Sequence, residues 1–124
     1  MHINQRKMLQ QASKIYTMMD TAVPSPEYDQ YKLLVTTKLD HVTTTLLSVV
    51  YISEAYCPDS IEAMRRWVCE ILAYGESLKQ TAAAELVDRI LEVEDSLHQL
   101  CAEFLFRGQI HTLPGGEAVA CGSL

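Results

Sequence analysis

Residues 86–104 read LVDRILEVEDSLHQLCAEF, and the spacing of their apolar side chains decides the fold. Leu86, Ile90, Val93, Leu97, Leu100 and Phe104 recur at steps of four, three, four, three and four. Those steps follow the 3.6-residue turn of an α-helix and lay one unbroken apolar stripe along it. A second row, Val87, Leu91, Cys101 and Leu105, runs beside the first, so the helix is apolar over more than half its surface near its C-terminal end. Such a helix is central to a bundle or lies in an interface. It is expected over 82–106, with Thr81 as its cap and Gly108 as its stop.

Upstream, Ile61, Met64, Val68, Ile71, Gly75 and Leu78 keep the same alternation of three and four. A third helix is expected over 60–79. Asp59 and Glu62 have the reciprocal spacing of a capping box at its start. Gly75 lies on the stripe, which leaves two readings: the helix ends at Tyr74, or it continues through a close crossing where a side chain would clash.

The second helix is expected over 26–56. Ser25-Pro26-Glu27 supplies a cap, a first-turn proline and a first-turn acid. Val35, Leu39, Val42, Leu46 and Val49 form its stripe. Residues 42–52 are rich in threonine and β-branched side chains, which also suit a short strand. Helix is preferred because the heptad phase runs through them and no turn residue interrupts it. The first helix is expected over 4–22, starting at Asn4 and ending before Val23-Pro24-Ser25-Pro26. Its stripe is read as Met8, Ile15, Met18 and Ala22, with Leu9, Ala12, Tyr16 and Met19 alongside. The expected fold is therefore all-α: one domain over 1–106, a bundle of about four helices, and an irregular tail over 107–124. The surplus of apolar surface on the second and fourth helices points to a dimer.

The chain has 124 residues, a size at which one hydrophobic core suffices without metal or disulfide staples. Its net charge is −6 and its basic pairs, Arg6-Lys7 and Arg65-Arg66, do not extend into a patch. Nucleic-acid partners are thus not expected, since phosphate neutralisation supplies most of that affinity. The N-terminus is polar and the longest apolar run, Leu46 to Ile52, is far too short for a bilayer, so neither a secretory signal nor a membrane span is expected. Cys57, Cys69, Cys101 and Cys121 show no CxxC spacing and read as reduced cytoplasmic thiols.

Chemistry-bearing patterns are sparse. Glu94, His98 and Cys101 share a helix face at one-turn steps and could contribute to a metal site, with Asp40-His41 as a source of further ligands. The bundle lacks the paired E-x-x-H motifs of a di-iron site. Glu92, Glu94, Asp95 and Glu103 read more simply as a solvated acidic face, with Asp88 and Glu92 flanking Arg89. No nucleophile motif, Gly-rich phosphate loop or cofactor fingerprint is present, and no cofactor is expected.

Large side chains off the main stripes carry more information. Leu47, Val50 and Tyr51 on the second helix, Trp67 and Tyr74 on the third, and Val87, Leu91 and Leu105 on the fourth form a candidate partner or dimer interface. Aromatic anchors concentrate binding energy because they bury much area at little entropic cost. The expectation is a non-enzymatic protein-binding protein: a small regulatory antagonist or anti-activator, acting as a homodimer or on another protein. A type III-like secretion chaperone or adaptor is the alternative. A metal-dependent enzyme or sensor using Glu94, His98 and Cys101 is the reading from a different class.

Overall fold

The structure, a computed structural model, describes residues 5–50 and 58–106. They form four helices, α1 (Gln5–Asp20), α2 (Tyr28–Val50), α3 (Pro58–Leu78) and α4 (Ala84–Phe106), with no strand among the described residues. Each helix packs on its neighbours in the order α1, α2, α3, α4 and back to α1, so α2 and α4 lie diagonally opposite. Cross-helix bonds, with the short connection between α3 and α4, show adjacent helices to be antiparallel. Gln5 Nε2 at the start of α1 donates to the Leu46 carbonyl near the end of α2, at 2.9 Å. Lys38 on α2 pairs with Glu70 on α3, and Gln30 with Tyr74. Gln11 on α1 bonds Gln99 on α4. The architecture is an up-down-up-down bundle.

The stripes form the core as their spacing predicts. Val35, Leu39, Val42 and Leu46 of α2 are buried, as are Ile61, Met64, Val68 and Ile71 of α3 and Leu86, Ile90, Val93, Leu97 and Leu100 of α4. The side chains of Val49 and Phe104 lie outside the described residues. In α1 the phase differs from the sequence reading: Met8, Ala12, Ile15 and Met19 are buried, Met18 is half-buried and Ala22 is exposed beyond the helix end. The broad apolar face allowed either choice, and contact with α2 and α4 selected the row carrying small Ala12. Tyr28 and Tyr31 also join the core, extending the α2 stripe by two turns.

Residues 42–50 are helical, and residues 51–56, expected to continue that helix, lie outside the described set. The Thr-rich segment is compatible with helix because its hydroxyls bond their own backbone. Thr43 Oγ1 donates to the Asp40 carbonyl at 3.2 Å and Ser48 Oγ to that of Thr44 at 2.6 Å.

Helix ends shift by one to two residues from expectation. Pro26 and Glu27 form a turn before α2, with the Tyr28 amide donating to the Ser25 carbonyl at 3.1 Å. Pro58 opens α3, which puts Asp59 inside the first turn and leaves Glu62 paired with Arg65 instead of reaching back as a capping residue. Ala83, not Thr81, precedes α4; its carbonyl accepts from the amides of Leu86 and Val87, both at 3.0 Å. Asn4 lies outside the described residues.

No basic residue occupies the last turn of α1, where a cation would offset the partial negative charge of bare carbonyls. Arg89 from α4 fills that role. Its Nη1 donates to the Met18 carbonyl at 2.5 Å and the Thr21 carbonyl at 2.7 Å. The Tyr28 hydroxyl joins it, donating to the Met19 carbonyl at 2.5 Å, and lies beneath the guanidinium. Arg89 therefore does more than pair with Glu92 at the surface, the role its sequence neighbours suggest.

Gly75 continues α3 instead of ending it. A Cβ there would lie 3.1 Å from Ile90 Cγ2 and 3.4 Å from Glu94 Oε2. Ile90 is buried, and its branched side chain has little rotamer freedom in a helix. Gly75→Val should therefore destabilise the fold by about 2 kcal/mol through overpacking, read as a lower urea midpoint with an unchanged slope. Arg89→Met, which keeps the apolar stem and removes the charged donors, should cost about 2 kcal/mol and speed amide exchange in the last turn of α1.

Candidate interaction surface

The outer face of α2 carries two of the exposed large apolar side chains of the described residues, including the most exposed, Leu33. Leu33 is 67% exposed and Leu47 is 48% exposed. Two heptads separate them, so they project from one face, with Thr37, Asp40 and Thr44 exposed between. At the margins of this face the hydroxyls of Thr36 and Ser48 bond back to the α2 backbone. Beside Leu33 runs a shallow groove of about 500 Å³, lined by Gln30, Leu33, Leu34, Thr37, Lys38 and Tyr74.

The α3 wall of this region is held by aromatic contacts. Tyr74 stacks on buried Tyr31 with ring centroids 6.3 Å apart, and Trp67 meets the His41 ring at 5.2 Å. Both Trp67 and Tyr74 are half-buried against the core, so they brace the α2–α3 seam and present one edge outward. On the other side of α2, the Tyr16 hydroxyl donates to Asp40. Burial, reinforced by that carboxylate, pushes the Tyr16 phenol up to about 12.

The proposed interface residues that are described fall on different sides of the bundle. Leu47 belongs to the α2 face, whereas half-exposed Leu91, at 50%, and half-buried Val87 sit on α4, diagonally across the bundle. Tyr51 and the side chains of Val50 and Leu105 lie outside the described residues. Leu33, Leu34 and Thr37 were missed by sequence reading, which followed the core stripe only from Val35 onward. The signal was available in the fourteen-residue separation of Leu33 and Leu47, a second phase on the same helix.

The carboxylate, imidazole and thiol on α4 are not gathered toward one another. Glu94 and Cys101 are turned inward and buried, while His98 is exposed. Asp40 and His41 are on the diagonal helix and engaged by Tyr16 and Trp67. Among the described residues no three His, Cys, Asp or Glu side chains come together as a metal site. Glu94 is thus not part of a solvated acidic face, as its sequence neighbours suggest. Its Oε1 accepts from Lys79 Nζ at 2.9 Å, and the same ammonium holds Glu76 at 2.7 Å.

Burial pushes the Glu94 carboxyl above the ordinary carboxylate range, against the pull of Lys79. Glu76, largely exposed, is held below that range by its bond to Lys79. A carboxyl whose pKa is raised by folding favours the native state while protonated and loses that contribution as pH rises through the raised value. The stability of Glu94→Gln relative to the parent chain should therefore be greater at pH 7 than at pH 4, measured by urea unfolding at both.

Among the described residues no helix is long and apolar enough to cross a membrane. Compared with protein-family models, with curated proteins and with solved structures, the chain matches none of them.

Proposed function

We propose that this chain is a non-enzymatic, cytoplasmic protein-binding module, a small regulatory antagonist or anti-activator that covers a surface of a protein partner. One observation carries the reading: the exposed leucines of α2, Leu33 and Leu47, on a face bordered by the Leu34–Tyr74 groove. The core does not need them, because Val35, Leu39, Val42 and Leu46 already fill the inner side of the same helix. A partner helix laid along α2 would bury both leucines and set its anchors at one-turn and two-turn spacing. Lys38 and Gln30 at the groove margin give polar rim contacts that select among partners.

The same face also suits a homodimer. Leu33 and Leu47 lie equidistant from Asp40, so two antiparallel copies of α2 related by a two-fold axis near that residue would set each Leu33 against the other copy's Leu47. The chain's acidic balance favours a basic or neutral surface in any other partner.

The test replaces Leu33 and Leu47 together by Glu and, separately, Leu91 by Glu. Both variants should keep the parent's helicity, because all three side chains are exposed. The α2 double variant should lose dimerisation in light scattering, or lose at least tenfold in recovery of the host proteins that co-purify with the parent chain. Leu91→Glu should lose neither. Equal recovery and equal mass for all three chains would overturn the reading, and loss confined to Leu91→Glu would move the interface to α4.

A further inference from the structure

The cross-helix contacts divide α3 into two flanks around its core stripe. Trp67, Glu70 and Tyr74 point to α2, where they meet His41, Lys38 and Tyr31. Cys69, Leu72, Glu76 and Lys79 follow one another at steps of three, four and three along the opposite flank. That flank faces α4, since Lys79 joins Glu76 to Glu94. Helix α4 divides in the same way. Arg89 and Gln99 reach α1, whereas Glu94 faces α3, and Cys101 lies one heptad beyond Glu94 on the same side.

Glu76 and Glu94 share one ammonium and so mark one level on two antiparallel helices. Moving one heptad, about 10.5 Å, toward the N-terminus of α3 reaches Cys69. Moving one heptad toward the C-terminus of α4 travels in the same direction and reaches Cys101. The two cysteines therefore stand at one level on facing flanks of α3 and α4. Both are 5% exposed, and neither is in a disulfide.

We propose that Cys69 and Cys101 are a thiol pair that closes to an intrachain disulfide on oxidation, clamping α3 to α4. The oxidant is a small-molecule disulfide such as oxidised glutathione. One protein thiol loses its proton and attacks a sulfur of the oxidant, forming a mixed disulfide and expelling one thiolate. The second protein thiol loses its proton and attacks the protein sulfur of that mixed disulfide, expelling the other thiolate. The two protons end on the two expelled thiolates. In balance, two protein thiols and one small disulfide give one protein disulfide and two small thiols. Because both thiols are nearly covered, the exchange proceeds through transient parting of α3 from α4 and is slow. The clamp lies away from the outer face of α2, so it tightens the bundle without covering the proposed interface.

The test uses the full chain with Cys57→Ser and Cys121→Ser, and the unaltered chain in parallel. Each is incubated folded with oxidised glutathione, quenched in acid, and alkylated in denaturant. The expected product is monomeric and lighter by two hydrogens, takes up no alkyl group at Cys69 or Cys101, and yields a linked peptide containing both. Its Tm should rise by roughly 10 °C and return on treatment with dithiothreitol, and Cys69→Ala should abolish the shift. Alkylation of both cysteines after oxidation, a disulfide found only between chains, or linkage formed only in urea would each overturn the assignment.

Discussion

At Gly75 the backbone of α3 comes so near α4 that a single added carbon would press on Ile90 Cγ2 at 3.1 Å and touch the Glu94 carboxylate. This approach sets the level of one helix against the other, and much of the bundle's polar detail hangs on it. It brings Lys79 within reach of Glu94, which would otherwise be a buried carboxylate with no cation beside it. Leaving such a charge unpaired costs several kcal/mol by typical measure, about 3–5. It also leaves room for the edge of the Tyr31 ring, which lies 3.8 Å from the same point. A glycine at the centre of a helix gives up about 1 kcal/mol of helix propensity. Here that loss is exchanged for an approach that an added side-chain carbon would crowd against Ile90.

The sequence was most legible where a physical rule acts locally and periodically. Four stripes at steps of three and four located four helices, and the described stripe residues of α2, α3 and α4 are buried, apart from half-buried Leu78. It was least legible where a choice depends on a distant neighbour. Whether Met18 or Met19 of α1 turns inward depends on how α2 and α4 approach it. Whether Glu94 is solvated or buried depends on Lys79, fifteen residues away across a turn. Gly75 admitted both a helix end and a close crossing, and only Ile90 on the facing helix decides between them. Arg89 looked like a surface partner of Glu92 because its true acceptors lie about seventy residues upstream.

The candidate surface shows the same division. Heptad reading identified Leu47 as surplus to the core, and it is exposed. Gathering Leu47 with Leu91 and Val87 required knowing that α2 and α4 are neighbours, and they are diagonal. The aromatic pair Trp67 and Tyr74 shares a face as its seven-residue spacing implies. The spacing gives no indication that α2 would cover most of each ring with His41 and Tyr31. A side chain off the stripe is thus either surface or seam, and periodicity alone does not separate the two.

The junction at the end of α1 bears on how the chain is made. The carbonyls of Met18, Met19 and Thr21 are satisfied by groups that leave the ribosome at very different times. The Tyr28 hydroxyl is available seven to nine residues later, so a short local closure can hold the end of α1 while the rest is still being synthesised. The Arg89 guanidinium arrives only when most of the chain exists. The first helix of the bundle therefore spends most of synthesis half-closed and is sealed by the last. Any nascent fragment that stops short of α4 presents the open side of α1, with Met8 and Ile15 uncovered, as a ready target for chaperones or for another unfinished chain.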